Sequence, residues 1–235
     1  LCLVFVISSF LDNIAAAMIG GTIAGVVFKQ RLHIGFLAAI VAASNAGGAG
    51  SVIGDTTTTM MWIDGVSAWD VLHGFVGSFA ALLFFGYFAA RQQQAYQPIM
   101  KDSNSGIRID AGHFLVVLLI LAGAIIANVK LDFPAIGVWV AILLGATFRK
   151  TAWHELKSAT KGSLFILSLV MCASMMPVEQ LPAASWQSAL GLGFLSAVFD
   201  NIPLTKLALD QGGYDWGFLA YAVGFGGSMV WFGSS

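Results

Sequence analysis

Eight apolar stretches run through this chain, at 1–28, 34–62, 70–90, 113–128, 134–148, 162–181, 186–209 and 216–235. A helix that spans a bilayer needs about 20 mostly apolar residues, and several of these runs are long enough. With 58% hydrophobic and only 10% charged residues and a mean hydropathy of +0.84, the chain has too little polar surface to solvate a globule of its size. The expected fold class is therefore an all-α polytopic membrane protein. Some stretches carry Asp-Asn pairs or glycine clusters in mid-run, so they cannot all cross as plain lipid-facing helices.

Charge placement orients the crossings. Lys29 and Arg31 fall between runs, as do Arg91, Lys101 and Arg108, and Arg149, Lys150, Lys157 and Lys161. If 34–62, 70–90, 113–128, 134–148 and 162–181 each cross once, these nine of the eleven Lys and Arg residues share one face. The opposite connections hold Asp64, Asp70, Lys130, Asp132 and Glu179. The bias towards positive charge inside makes loops 29–33, 91–112 and 149–161 cytoplasmic and places the chain in the cell inner membrane. A net charge of −1 leaves no basic face for nucleic acid. Residues 1–11 lack the basic start and small-residue cleavage site of a signal peptide. Cys2 and Cys172 lie in apolar runs without metal-ligand spacing, so they read as buried small apolar residues.

The chain also repeats itself. Ser9-Phe10-Leu11-Asp12-Asn13-Ile14 recurs as Ala197-Val198-Phe199-Asp200-Asn201-Ile202, and Gly47-Gly48-Ala49-Gly50-Ser51 recurs loosely as Gly224-Phe225-Gly226-Gly227-Ser228, in the same order. Many secondary transporters are built from such repeats. Two short arms with Asp12 and Asn13 at their tip make 1–28 a re-entrant hairpin, and Asp200 and Asn201 do the same for 186–209. At a tip, Asp or Asn caps the second arm, and Pro203 suits its first turn.

The crossing count brings the two hairpins in from opposite faces, so the repeats are inverted. The expected division is 1–90 for the later part of the first repeat (hairpin 1–28, broken helix 34–62, helix 70–90), 91–112 for a cytoplasmic linker, and 113–235 for a truncated second repeat. That second repeat holds helices 113–128, 134–148 and 162–181, hairpin 186–209 and broken helix 216–235. Spans present around one repeat and missing from the other suggest a fragment of a longer transporter.

Asn45-Ala-Gly-Gly-Ala-Gly-Ser-Val-Ile-Gly-Asp55 sits inside the run 34–62, where glycines and a carboxylate are costly in lipid-exposed helix. An unwound crossing accounts for them. Carbonyls freed at Gly47, Gly48, Gly50 and Ser51, and at Gly226, Gly227 and Ser228, could coordinate a cation. Asp55 followed by Thr56, Thr57, Thr58 and Thr59 adds a carboxylate and hydroxyl oxygens, and at most two of the four threonines can face one site. Oxygen-only ligation suits a hard cation such as sodium. Because removal from water favours an acid's protonated form, competition of one ion and one proton for a single carboxylate is the simplest antiport chemistry. Asp12 and Asp200 are the other candidate carboxylates, against a plainer reading in which they only cap helices and the glycines only permit close packing. Lys206, in the arm after Asp200, could pair with Asp12 or Asp55, meet an anionic substrate, or snorkel outward.

Other chemistries fit less well. An intramembrane aspartyl protease would need Gly-x-Gly-Asp, but Val52 stands at the first Gly position before Gly54 and Asp55. No His-Glu-x-x-His is present, and glycine-broken runs do not suit a retinal bundle using Lys206. The chain reads as a non-enzyme with no cofactor. His33, His73, His113 and His154 lie in loops or at run ends, Lys130 and Asp132 read as an external pair, and Trp62, Trp69, Trp153 and Trp186 read as interfacial anchors.

Ser-Ser-Phe-Leu-Asp-Asn at 8–13, the run from Asn45 to Thr59 and Phe-Asp-Asn-Ile-Pro-Leu-Thr at 199–205 resemble the ArsB/NhaD branch of the ion transporter superfamily, closest to NhaD-type sodium/proton antiporters. The resemblance implies inverted repeats with re-entrant hairpins and broken helices, an elevator-like motion, a homodimer, and sodium and protons as partners alongside membrane lipid. Carried onto matching positions, it makes Asp12, Asn13, Asn45, Asp55, Thr57, Thr58 and Asp200 ion-handling, with Asn201 beside Asp200. Lys206 is outside that pattern. Relatives in the wider superfamily carry citrate or dicarboxylates, so a small organic anion coupled to sodium or protons is the alternative cargo.

Overall fold

The computed structural model describes residues 1–99, 111–131 and 133–229. Among them there are only helices, turns and connections. The chain divides into two compact units, Leu1–Lys101 with Ile166–Ser235, and Asp102–Phe165.

The first unit is a series of short helices broken where polar residues interrupt apolar runs. α1 (Cys2–Ser8) stops before Asp12, whose carboxylate caps α2 (Asn13–Val27) by accepting the amides of Ile14 and Ala15 at 3.1 and 3.4 Å. Lys29 and Gln30, at φ of 51° and 61°, turn the chain out of α2. His33 then caps α3 (Ile34–Gly48) through Nδ1, which accepts the Gly35 amide. The chain unwinds over 49–55 and resumes as α4 (Thr56–Ile63), a short α5 (Ala68–Leu72) and a long α6 (Gly74–Tyr96). α6 therefore continues past 90 into the expected linker, of which 100–110 lies outside the described residues.

The other unit, Asp102–Phe165, contains α7 (Ala111–Leu131) and α8 (Pro134–Phe148), which starts on proline as a first turn allows. The two pack backbone to backbone, since a Cβ on Gly137 would lie 1.9 Å from the Gly123 carbonyl oxygen. The expected Lys130–Asp132 pair falls partly outside the described residues. α9 (Leu156–Ser174) begins in this unit, and its later turns belong to the first.

The first unit continues with α10 (Trp186–Ser196), α11 (Asn201–Gln211) and α12 (Trp216–Gly226). Ser185 and Ser188 form a reciprocal cap at the start of α10. Asp200 caps α11 through the Ile202 amide at 2.8 Å, and Asp215 caps α12 through that of Phe218 at 2.9 Å.

Inside and outside are composed as lipid demands. Ala16, Ala49, Ala189, Ala220, Ser8, Ser44, Thr57 and Thr205 are buried, whereas Phe84, Phe85, Phe88, Leu83 and Met18 are exposed. Where lipid tails are as apolar as leucine, helices gain from close approach of small residues rather than from burying large ones. Three helices, Ala68–Tyr96, Ala111–Leu131 and Trp153–Ser174, are long and apolar enough to cross a membrane. The chain is a multi-pass membrane protein of all-α class. The expectation of buried cysteines needs correcting: both thiols are exposed, because the outer surface of such a protein is itself apolar.

The packing of α1 on α3 is reproduced by α10 on α12. Ser8 donates to the Ser44 carbonyl at 2.5 Å, and Ser196 donates to that of Val223 at 2.8 Å. A Cβ on Gly47 would lie 2.1 Å from the Phe5 carbonyl oxygen, and one on Gly226 would lie 2.1 Å from that of Gly193. Ser8 and Phe5 precede Asp12 by the same intervals at which Ser196 and Gly193 precede Asp200. These contacts match Gly47 with Gly226, Asn45 with Gly224 and Ala49 with Ser228. The register read from sequence alone, Gly47 with Gly224, is corrected by two residues.

Candidate functional site

The break in the 34–62 run brings polar side chains from four segments together. Asp55 stands at the N-cap of α4 in extended backbone, φ −145° and ψ 149°, and is 4% exposed. Thr57 donates its hydroxyl to Oδ2 of Asp55. Oδ1 receives Thr56 at 3.4 Å and a longer approach from Asn13 Nδ2 at 3.5 Å. Asn13 Nδ2 also donates to Asn45 Oδ1 at 3.0 Å, and Asn45 Nδ2 donates to Ser228 Oγ at 2.8 Å. Asn13 and Asn45 are both buried. One connected polar chain thus runs from Ser228, just past α12, to the carboxylate of Asp55.

Such a chain is stable in a low-dielectric interior only if its members are paired, and here each is. Among the described residues, no Lys, Arg or His forms an ion pair with Asp55. Its donors are hydroxyls and an amide. Each of these groups also carries an oxygen that can face a cation.

Four of the expected residues, Asn13, Asn45, Asp55 and Thr57, meet in this cluster. Thr58 is buried beside it, but its hydroxyl donates to the carbonyls of Ser51 and Asp55, at 2.6 and 3.0 Å. Asp12 is exposed and caps α2, yet it lines the same cleft as Asp55. That cleft, of about 350 Å³, is walled by Gly54, Thr56, Thr59, Met60, Ile63, Ile166, Val170 and Ile202. Asp200 caps α11 and Asn201, which is buried, begins it, and the following Ile202 lines the cleft.

Of the four carbonyls expected to be free around the break, those of Gly47, Gly48 and Ser51 already accept hydrogen bonds. Ser9 Oγ donates to Gly47 O, the Ser51 amide to Gly48 O, Ser51 Oγ to Ser9 O, and Thr59 Oγ1 to Val52 O, all within 2.6–3.0 Å. The glycines there act by close approach: Gly47 against the Phe5 carbonyl, Gly48 against Gly54, and Gly50 under the Phe75 ring. Ser228 enters through its side chain.

Lys206 forms an ion pair with Asp210, one turn further along α11. The expected partners were Asp12 or Asp55. The i, i+4 geometry offers a carboxylate on the same face of the same helix, which needs no reach across the protein.

Comparison with known proteins found two relatives by sequence. Over 275 residues, 98% of this chain and 47% of the relative, it is 26% identical to a protein named sodium/proton antiporter 1 from Arabidopsis thaliana. Over 288 residues, 99% of this chain and 70% of the relative, it is 26% identical to one named Na(+)/H(+) antiporter NhaD from Vibrio parahaemolyticus. The chain thus spans about half the length of the plant relative. No family model and no solved structure matches.

Proposed function

We propose, for a chain related over nearly its whole length to NhaD-type antiporters, that it forms the ion-handling part of a secondary transporter exchanging sodium for protons. The observation that carries this reading is Asp55: a buried carboxylate at a helix break, held by hydroxyls and an amide and without a basic partner among the described residues. A sodium ion would take Oδ1 and Oδ2 together with oxygens of Thr57, Thr56 and Asn13, and a proton would take one of the same carboxylate oxygens. One carboxylate cannot hold both, and mutual exclusion of the two cargoes is the requirement for antiport. The apparent affinity for sodium should accordingly fall as the pH drops.

Asp12 lines the approach to Asp55 and adds negative charge to the cleft, favouring entry of a cation. Lys206, the basic residue on which an organic-anion carrier would rely, is held by Asp210. The remainder of the proposal follows charge and resemblance: loops 29–33, 91–112 and 149–161 face the cytoplasm, the two repeats are inverted, the membrane is the inner one, and the protein works as a homodimer.

The test uses the full-length protein in inverted vesicles, with a preset proton gradient reported by a fluorescent dye. Collapse of the gradient on adding sodium or lithium, and no response to citrate or succinate, is the expected outcome. Indifference to every cation, with sodium-dependent uptake of citrate, would overturn the proposal.

A further inference from the structure

Gly224 is a buried glycine in α12 where no backbone clash demands glycine. Its neighbours in the same helix are different: a Cβ on Gly217 would lie 2.7 Å from the Asp70 carbonyl oxygen, and one on Gly226 would lie 2.1 Å from that of Gly193. At those two positions only glycine allows the backbones to approach. A Cβ on Gly224 would meet nothing closer than Ala49 Cβ at 3.3 Å, then Oδ2 of Asp55 at 3.5 Å. Its backbone is helical and does not lie in the left-handed region. Glycine weakens a helix interior relative to alanine, and neither a left-handed backbone nor a backbone clash accounts for its presence.

What the missing side chain does is leave room beside Oδ2, which lies 3.5 Å from where a Cβ would stand. Thr57 donates its hydroxyl to that same oxygen. The matching position in the first repeat is Asn45, whose side chain is the middle of the polar chain to Ser228. The helices α3 and α12 therefore meet unequally: Asn45 reaches Ser228, and Gly224 faces Ala49 and Asp55.

We infer that Gly224 sets the size of the cation accepted at Asp55, by keeping open the space beside Oδ2 that the ion and its oxygen shell occupy. This rests on the functional reading above and deepens it, because it gives the second repeat a role in selectivity at a carboxylate supplied by the first. A methyl group at position 224 would press on Ala49 Cβ at 3.3 Å, a contact that a shift of a few tenths of an ångström relieves, so it would narrow the site without dismantling it. The larger sodium ion loses more from the lost space than lithium does.

The experiment measures sodium- and lithium-driven collapse of the proton gradient by the unsubstituted full-length protein and by Gly224→Ala, together with the Tm of each in detergent. The expected result is a shift of about tenfold in the ratio of apparent affinities towards lithium, equivalent to ~1.4 kcal/mol, with Tm unchanged or raised. The double variant Ala49→Gly/Gly224→Ala removes the 3.3 Å contact and should keep the lithium preference.

An unchanged ratio, an equal loss for both ions, a lowered Tm, or return of the original ratio in the double variant would each overturn the inference. If the unsubstituted protein exchanges neither ion, the functional reading fails and the inference falls with it. Exchange by that protein alongside an unchanged ratio in the variant sinks the inference alone.

Discussion

The two repeated pieces of this molecule share a scaffold and differ in what it carries. In both, a serine before the Asp-Asn tip bonds to the neighbouring helix, at Ser44 or Val223, and a glycine lets that helix lie against a carbonyl, at Phe5 or Gly193. In both, an aspartate caps the helix that follows the tip. Only the first carries Asn45 and Asp55 beyond those contacts; at the matching positions the second has Gly224 and, from the sequence, Ser234. The lesson is that the repeat fixes where the ends of α3 and α12 meet, while the buried carboxylate and its polar partners are concentrated around one of them.

Substitutions can break the shared half of this comparison first. Gly47→Ala and Gly226→Ala each drive a methyl group into a backbone carbonyl 2.1 Å away. Both should destabilise the assembled protein by about 3 kcal/mol or more, read as a large loss of Tm in detergent, and by similar amounts if the two packings are equivalent. Next in size is Asn45→Ala, which removes the partner of both Asn13 and Ser228. Leaving buried polar groups unpaired costs about 1–3 kcal/mol, so sodium affinity should drop by about tenfold or more in vesicle assays, whereas Gly224→Ala spares that chain.

Smaller effects sharpen the contrast between tip and site. Asp200→Ala removes a helix cap worth about 1 kcal/mol and should lower Tm modestly while sodium-dependent exchange persists. Lys206→Met breaks a partly exposed pair within one helix, of a kind worth only about 0.3–0.5 kcal/mol. Its exchange rate and cation preference should match the parent's, and a changed preference would return Lys206 to the transport path.

Much of this was legible from sequence, because a polar residue within an apolar run demands a structural account. Asp12, Asp200 and the segment from Asn45 to Asp55 marked the helix breaks on that ground alone. The second glycine-rich motif was harder to align, since Gly224, Gly226 and Gly227 admit two registers, and the serine bonds to Ser44 and Val223 together with the contacts at Phe5 and Gly193 choose between them. Thr57 and Thr58 are adjacent and chemically alike, and it takes three-dimensional placement to give one the carboxylate and the other a pair of carbonyls. For Lys206, the nearest acid on its own helix won over a partner across the repeat. The role of Gly224 had no sequence signal, because a glycine needed for packing and one needed for space read identically.

The most direct test of the central claim compares Asp55→Asn with Asp200→Asn in the full-length protein, in inverted vesicles, at matched amounts in the membrane. Asparagine keeps the shape at both positions and can still cap α11 at position 200, so the comparison turns on the charge. The account predicts that Asp55→Asn no longer collapses a proton gradient on addition of sodium, while Asp200→Asn does so at close to the parent rate. Sodium-driven collapse that survives in Asp55→Asn, or is lost in Asp200→Asn, would contradict it.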